Sequence, residues 1–222
     1  MLLYYITDRT QFEGTDAERR TALLRTIGNA ASAGVDYIQL REKDLSGREL
    51  ESLVRQALCI VRAEGPSRLM VNHRADIALA TGADGVHLTG DDVAPSDVRA
   101  LTAGAGRSLL ISVSCHSVQQ VRLADAHGAD FAVFGPIFEK MNMIQAGVGL
   151  SELSRAAQKD RTPDLRAEAG DTRRSFPVFA LGGVNMERAT LCAATGATGI
   201  AGIRLFQQCE NLPSLVRTVR SL

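Results

Sequence analysis

The chain has 222 residues, and its 25 lysines and arginines balance its 25 aspartates and glutamates, so its formal net charge at pH 7 is zero. A neutral chain lacks the broad positive surface that binds nucleic acid or an anionic membrane, although a local pair of cations can still hold a phosphate group. No apolar run approaches the ~20 residues that a membrane-spanning helix needs. The composition therefore favours small-molecule ligands and predicts neither a nucleic-acid partner nor a membrane partner.

The cysteines and the N-terminus indicate a reducing compartment. None of the four cysteines shares a CxxC motif with another, which is the spacing typical of redox pairs and of many metal sites. Residues 1–7 are too short for a signal peptide and lack its basic flank. We therefore expect reduced thiols and a cytoplasmic protein.

A short junction recurs four times along the chain. A glycine, a small residue and then Asp or Thr precede an apolar run, and these glycines are Gly34, Gly82, Gly128 and Gly196. Glycine suits the left-handed residue that ends a helix, and the apolar run suits a buried parallel strand. The junctions lie 48, 46 and 68 residues apart, and each interval has room for two βα units of about 25–30 residues. Eight strands follow, which predicts one (β/α)8 TIM-barrel domain over residues 1–222, with an open doubly wound sheet as the alternative.

Predicted strands and helices alternate along the whole chain. The odd-numbered strands are predicted at residues 2–7, 68–72, 109–114 and 178–181, and the even-numbered strands follow the junctions. Helices are predicted at residues 16–33, 46–63, 97–103, 117–127, 151–159, 186–195 and 212–222. A polar segment at about residues 160–175 precedes the seventh strand, and we expect it to be a solvated insertion without a functional role.

The stretch of residues 37–43, YIQLREK, begins apolar and ends charged. Alternation along a strand places Gln39, Arg41 and Lys43 on one side. If the other side packs against helices, these three side chains face the barrel axis at its C-terminal rim, where such folds build their sites. Two inward-facing cations need an anionic partner. The alternative is an ordinary strand end whose cations extend into solvent or pair with Glu42.

Glycines after the seventh and eighth strands indicate a phosphate site. Gly182 and Gly183 follow the seventh strand, and Gly202 follows the eighth. In these barrels, backbone N–H groups at this place bind phosphate, although tight turns also use paired glycines.

Several longer motifs make the chain resemble the thiamine phosphate synthase family and its sister group, the TenI-type thiazole tautomerases. The motifs run almost end to end: YYITDR, YIQLREK, the VN of MVNHRADIALATGADGVHL followed by GDD, SVSCHS, GADFAVFGPIF and ALGGV. The resemblance implies a TIM barrel that joins an aminopyrimidine methyl diphosphate to a thiazole phosphate and releases diphosphate.

The same resemblance implies roles for individual residues. Gln39, Arg41 and Lys43, with Asn72 beside them, would bind the aminopyrimidine and its diphosphate. Ser114 would contact the departing diphosphate, and Asp92 would bind Mg²⁺. The backbone site for the thiazole phosphate would comprise Gly183, Ile203 and Arg204.

The chain also departs from the synthase pattern. His73 stands where synthases carry a second acidic metal ligand, and imidazole is a poor ligand for so hard an ion as Mg²⁺. Asp92 and His73 are therefore the candidate metal ligands, and we expect weak Mg²⁺ binding. Synthases have a threonine-rich loop that ends in lysine after the sixth strand, whereas residues 138–146 contain no threonine and offer only Lys140. Arg204 replaces a serine, and it could clasp a phosphate or pair with an acid.

Three functions remain open. A synthase comes first because Gln39, Arg41 and Lys43 are retained, and a tautomerase handles no diphosphate. A tautomerase comes second because His116 matches that group's proton-shuttling histidine, and imidazole moves protons near neutral pH. The third is a phosphate-binding relative without catalysis. A nucleophilic pair of Cys115 and His116 is disfavoured because adjacent strand residues face opposite sides. A homo-oligomer is possible.

Overall fold

Eight parallel strands form a closed barrel in the computed structural model, which describes residues 1–138, 147–158 and 176–222. The strands are β1 (Leu2–Ile6), β2 (Tyr37–Leu40), β3 (Arg68–Asn72), β4 (Gly85–Leu88), β5 (Leu110–Cys115), β6 (Phe131–Phe134), β7 (Val178–Leu181) and β8 (Gly199–Gly202). Each strand pairs with the next in sequence, and β8 pairs with β1. The predicted closed barrel is confirmed, and the open sheet is excluded.

Helices alternate with the strands. In the described residues they are α1 (Asp16–Ser32), α2 (Gly47–Glu64), α3 (Ala75–Thr81), α4 (Pro95–Gly104), α5 (Val118–Ala126), α6 (Gly149–Ala157), α7 (Met186–Ala194), α8 (Arg204–Gln207) and α9 (Leu212–Arg220). The seven predicted helices agree to within two residues at each end. The seven-residue α3 and the one-turn α8 were not among the predicted helices, because so few residues show little or no helical period. Across these ranges, every helix is too short or too polar to cross a bilayer.

Some predictions fall outside the described residues. These are the predicted insertion at about residues 160–175 and the loop that contains Lys140.

The barrel interior is filled at its N-terminal end and open at the other. Tyr4, Tyr37, Phe131 and Phe179 pack there with ring centroids 4.9–5.9 Å apart. Four aromatic rings supply the bulk that excludes water from the barrel axis. The open space therefore lies at the C-terminal ends of the strands.

The side chain at the end of each repeated junction forms a hydrogen bond to the backbone of a neighbouring strand. Each glycine adopts the predicted left-handed conformation, with φ between 77° and 88°. The residue just before each even-numbered strand accepts a hydrogen bond from a backbone N–H in the preceding odd-numbered strand. The pairs are Asp36 with Leu3 (2.9 Å), Asp84 with Leu69 (2.8 Å), Asp130 with Ile111 (2.6 Å) and Thr198 with Val178 (3.3 Å). The sequence repeat thus joins the strands two by two at the closed end of the barrel.

An ion cluster around the buried Arg9 joins the loops that follow β1 and β2. We call Thr7, Arg9, Asp16, Glu42 and Asp44 the Arg9 cluster. Arg9 is 5 % exposed, and its guanidinium contacts Glu42 (3.2 Å), Asp44 (2.6 Å) and Asp16 (2.9 Å). Hydrogen bonding to these carboxylates, of which Asp44 contributes most, raises the pKa of Arg9.

Glu42 connects this cluster to the strand end that carries the predicted cations. Its carboxylate accepts hydrogen bonds from the Thr7 hydroxyl (2.6 Å) and from the Arg9 backbone N–H (3.0 Å). The Thr7 hydroxyl oxygen in turn accepts a bond from the Arg41 backbone N–H (3.0 Å). The backbone at Arg41, just before Glu42, is therefore fixed by the same network.

The junction predicts a stability effect at Asp84. Asp84→Ala leaves the buried Leu69 N–H without its acceptor, which should lower the free energy of unfolding by about 1–3 kcal/mol. Asp84→Asn keeps an acceptor oxygen and should cost less. Urea denaturation measures both, with the exposed Glu64→Ala as control. Equal losses for Asp84→Ala and Glu64→Ala would contradict this account.

The Arg9 cluster predicts a larger loss of stability at its buried carboxylate, Glu42. Glu42→Ala leaves the Arg9 guanidinium buried without its innermost carboxylate, and breaking a buried pair in this way typically costs about 3–5 kcal/mol. Asp44, whose side chain is 60 % exposed, is the matched control, and Asp44→Ala should cost less than about 1 kcal/mol. Denaturation midpoints of the two variants decide it, and a loss at Asp44 as large as that at Glu42 would show that burial is not the cause.

Candidate active site

A cavity of about 960 Å³ opens at the C-terminal ends of the strands. A concave site of this size with converging polar groups is typical of small-molecule binding. The sequence-predicted site residues in its wall are Gln39, Arg41, Lys43, Asn72, His73, Ser114, His116, Gly183, Ile203 and Arg204. Asp92 does not belong to the wall. The structure therefore brings together residues that lie in, or directly after, five different strands.

Gln39 and Asn72 present one unsatisfied acceptor. The Gln39 amide nitrogen donates to the Asn72 side-chain oxygen at 2.7 Å. Gln39 is 1 % exposed, yet its own amide oxygen has no hydrogen-bond partner among the described residues. A buried acceptor without a donor costs about 1–3 kcal/mol. A ligand with an N–H group at this place would satisfy it.

Arg41 and Lys43 face the cavity from the loop after β2. Neither cation has an ion-pair partner in residues 1–138, 147–158 and 176–222, because Glu42 points away from them and contacts Arg9. The expectation that they share a side is therefore consistent with the structure, whereas pairing with Glu42 is not observed. Two unpaired cations in one wall attract a polyanion.

Ser114 contacts a histidine that sequence reasoning did not single out. The Ser114 hydroxyl lies 3.0 Å from His87 Nε2, and Ser112 Oγ lies 2.8 Å from His87 Nδ1. Burial, with a smaller contribution from neighbouring charges, lowers the pKa of His87 to about 3. The available signal was that His87 alternates with apolar residues in GVHL and so faces the barrel axis.

His73 and Asp92 contact each other instead of forming an open pair. His73 Nδ1 lies 2.7 Å from the Asp92 carboxylate, which also accepts from the Thr89 backbone N–H at 2.6 Å. Burial acts to raise the pKa of Asp92, but the hydrogen bonds from His73 and Thr89 hold it below its usual value. The carboxylate is thus committed to protein donors.

These residues do not fit a Mg²⁺ site built by the protein. Mg²⁺ favours free carboxylate oxygens and water in octahedral geometry, whereas here one engaged carboxylate meets an imidazole. Within the described ranges, no three His, Cys, Asp or Glu side chains are grouped as metal ligands. The predicted Asp92 and His73 pair therefore serves as an internal hydrogen bond.

His116 is held by one ring nitrogen. His116 Nδ1 is hydrogen-bonded to the Gly135 carbonyl oxygen, and since a carbonyl only accepts, Nδ1 carries the hydrogen. In neutral His116, Nε2 then carries a lone pair, which has no partner among residues 1–138, 147–158 and 176–222, and the ring lies in the cavity wall. Cys115 is buried, and burial raises the pKa of its thiol to about 12. A thiolate nucleophile at Cys115 is therefore excluded near neutral pH.

The far wall of the cavity is made largely of backbone. Gly182 has a φ of 98°, and a Cβ atom there would lie 2.6 Å from Pro136, so this turn requires glycine. Arg188 donates to the Gly183 carbonyl oxygen at 2.8 Å and stacks on Phe138. This turn and the residues after the neighbouring strand β8, Ile203 and Arg204, form a pocket of the kind that binds phosphate through backbone N–H groups.

Comparison with known proteins identifies relatives along almost the whole chain. The family model described as thiamine monophosphate synthase matches residues 3–206. A protein of Geobacter sulfurreducens, provisionally named thiamine-phosphate synthase, is 39% identical over 90% of this chain and 83% of its own. The thiamine-phosphate synthase of Syntrophomonas wolfei is 31% identical over 99% of this chain and 95% of its own.

A solved structure agrees with these relatives. Thiamine phosphate pyrophosphorylase from Pyrococcus furiosus superposes with a TM-score of 0.76 and 25% identity, covering 99% of this chain and 94% of that one. Three observations support the same family: the motifs that line the cavity, the closed barrel that positions them, and the match to the family model over residues 3–206. The chain belongs to the thiamine monophosphate synthase family.

Proposed function

We propose that the chain is a thiamine phosphate synthase, which joins an aminopyrimidine methyl diphosphate to a thiazole phosphate and releases diphosphate. The observation that carries this proposal is the wall formed by Gln39, Arg41 and Lys43. It combines an unsatisfied buried acceptor with two cations that have no carboxylate partner among the described residues. An aminopyrimidine that bears a diphosphate supplies the matching N–H group and the matching negative charge.

The proposed reaction begins with cleavage of the C–O bond between the pyrimidine methylene and the diphosphate. The bonding electron pair leaves with the diphosphate oxygen, and Arg41, Lys43 and the Ser114 hydroxyl stabilise the charge that develops there. The thiazole nitrogen then donates its lone pair to the methylene cation. No general base is required at either step, and no step passes through a metal held by Asp92 and His73.

The thiazole phosphate would bind at the backbone pocket formed by Gly183, Ile203 and Arg204, which lies in the same cavity as the cations. Phosphorylated small molecules as partners, a single domain and a cytoplasmic location belong to the same proposal.

Removal of either cation should affect rate far more than folding. Arg41→Ala and Lys43→Ala should each lower synthase turnover on the order of 10²-fold, because each removes one charged contact to the transition state. Both residues lie at the rim, so the free energy of unfolding should change by less than about 1 kcal/mol. Steady-state assays with both substrates and added Mg²⁺, together with urea denaturation, measure the two effects.

The exposed Arg48→Ala on α2 is the matched control, since it removes an equal charge outside the cavity wall. It should keep wild-type turnover. Normal rates in both Arg41→Ala and Lys43→Ala would refute the proposed diphosphate site.

A thiazole tautomerase is the second candidate, and His116 is the observation that favours it. The hydrogen bond from Nδ1 to Gly135 leaves Nε2 free to take up and return a proton at a ligand in the cavity. A synthase has no step that needs this proton transfer, so His116 separates the two candidates.

His116→Asn tests the alternative with little structural change. The asparagine amide can replace Nδ1 as the donor to Gly135, but it has no titrating nitrogen in place of Nε2. Under the synthase proposal we expect thiamine phosphate formation within about threefold of wild type, with the exposed His127→Asn as control. Loss of thiazole isomerisation in a protein whose wild type forms no thiamine phosphate would instead establish the tautomerase.

A further inference from the structure

A line of four polar side chains runs from the centre of the barrel to the cavity. We call Tyr4, Ser112, His87 and Ser114 the Tyr4–Ser114 line. Successive contacts measure 3.3 Å from Tyr4 Oη to Ser112 Oγ, 2.8 Å from Ser112 Oγ to His87 Nδ1, and 3.0 Å from His87 Nε2 to Ser114 Oγ. Ser114 and His87 both line the cavity, and Ser114 is the more exposed of the two. The other three side chains are at most 3 % exposed.

Burial requires that every hydrogen on this line has an acceptor. Tyr4 and Ser112 each carry one hydroxyl hydrogen, and their side-chain partners among the described residues are each other and His87. Burial raises the pKa of Tyr4, so its hydrogen is present. His87 is neutral in this environment, so one of its nitrogens donates and the other accepts.

The two neutral forms of His87 differ in how many donors they satisfy. If Nδ1 accepts, the Ser112 hydroxyl donates to Nδ1 and the Tyr4 hydroxyl donates to Ser112, so both hydrogens are used. If Nδ1 carries the hydrogen, it offers no lone pair to either hydroxyl. In every arrangement one of the two hydroxyl hydrogens, on Tyr4 or on Ser112, then has no acceptor among the described residues, and a buried donor without an acceptor is unfavourable.

We infer that His87 carries its hydrogen on Nε2 and donates it to the Ser114 oxygen, and that Tyr4, Ser112 and His87 are positioning residues that leave the Ser114 hydrogen directed into the cavity. There it donates to the departing diphosphate. The identity of that anion rests on the proposed function, whereas the protonated nitrogen of His87 does not.

The direction of donation decides what Ser114 can do. A serine that gives its hydrogen to His87 presents only lone pairs to the cavity, and these repel a diphosphate oxygen. A serine that accepts from His87 keeps a hydrogen for the anion, and the added bond makes that hydroxyl a stronger donor. The low pKa of His87 also makes it a poor base for Ser114, so Ser114 is a donor and not a nucleophile.

The protonated nitrogen is measured directly by NMR. Long-range ¹H–¹⁵N correlation spectra of the uniformly ¹⁵N-labelled wild type at neutral pH distinguish a protonated from an unprotonated ring nitrogen, and the His87 signals are identified by their loss in His87→Gln. We expect Nε2 protonated and Nδ1 unprotonated. Protonation at Nδ1, or an equal mixture, would overturn the inference without any assay of activity.

Kinetics test the effect on Ser114. The amide nitrogen of His87→Gln reaches the place of Nε2 and can still donate to Ser114, whereas the amide of His87→Asn ends near the place of Nδ1. We expect kcat of synthase turnover to fall about tenfold or more in His87→Asn and to recover largely in His87→Gln. The KM for the thiazole phosphate should be unchanged in both.

A double variant separates positioning from a general structural defect. In a Ser114→Ala background, His87→Asn should cause no further loss of kcat, because the hydroxyl that His87 orients is absent. A full additional loss would overturn the positioning role. Denaturation midpoints verify that each variant is folded.

Binding of inorganic diphosphate tests the role of Ser114 even if the protein has no synthase activity. If wild type forms no thiamine phosphate, calorimetry should still show diphosphate binding that weakens several-fold in Ser114→Ala and in His87→Asn. Unchanged binding in both variants, or no binding to wild type, would overturn the donor role of Ser114.

Discussion

The candidate site depends on a buried carboxylate that lies between two cations in the sequence. Glu42 faces the Arg9 cluster, while Arg41 and Lys43 face the cavity. Desolvation of such a pair offsets much of its attraction, so a buried ion pair is weak grounds for stability by itself. Its effect here is positional, because Glu42 fixes the backbone through Thr7 and occupies Arg9. The Arg41 backbone is thus held in place, and neither Arg41 nor Lys43 has a carboxylate partner within the part of the chain that the structure describes.

The side chains in and beside the cavity wall divide in a similar way. Asp92, which lies outside the wall, is satisfied by His73 and Thr89. Among the described residues, the Gln39 amide oxygen has no donor, Arg41 has no carboxylate partner, and the bond to Gly135 uses only Nδ1 of His116. Preorganised groups of this kind stabilise charge without the cost of reorganisation during reaction.

The barrel and the family membership limit the number of reactions that the site could carry out. The difference between a synthase and a tautomerase depends on individual atoms in the cavity. One fold supports many reactions, so the function must be argued from the site. Here both reactions would use the same cavity. The difference lies in which hydrogens and lone pairs face the ligand, namely the diphosphate contacts of Arg41 and Lys43 on one side and Nε2 of His116 on the other.

The sequence by itself determined the strands, most helices and the residues at the rim. The glycine junctions predict eight strands, and alternation along residues 37–43 predicts which side chains face the axis, because both patterns are local properties of the backbone. Only the tertiary structure determined which side chains contact one another. Glu42 meets Arg9 across 33 residues, and Tyr4 meets Ser112 across 108. Asp92 meets His73 because the loops that carry them follow the paired strands β3 and β4. The pairing and closure of the strands, and not sequence spacing, set the distances between these side chains.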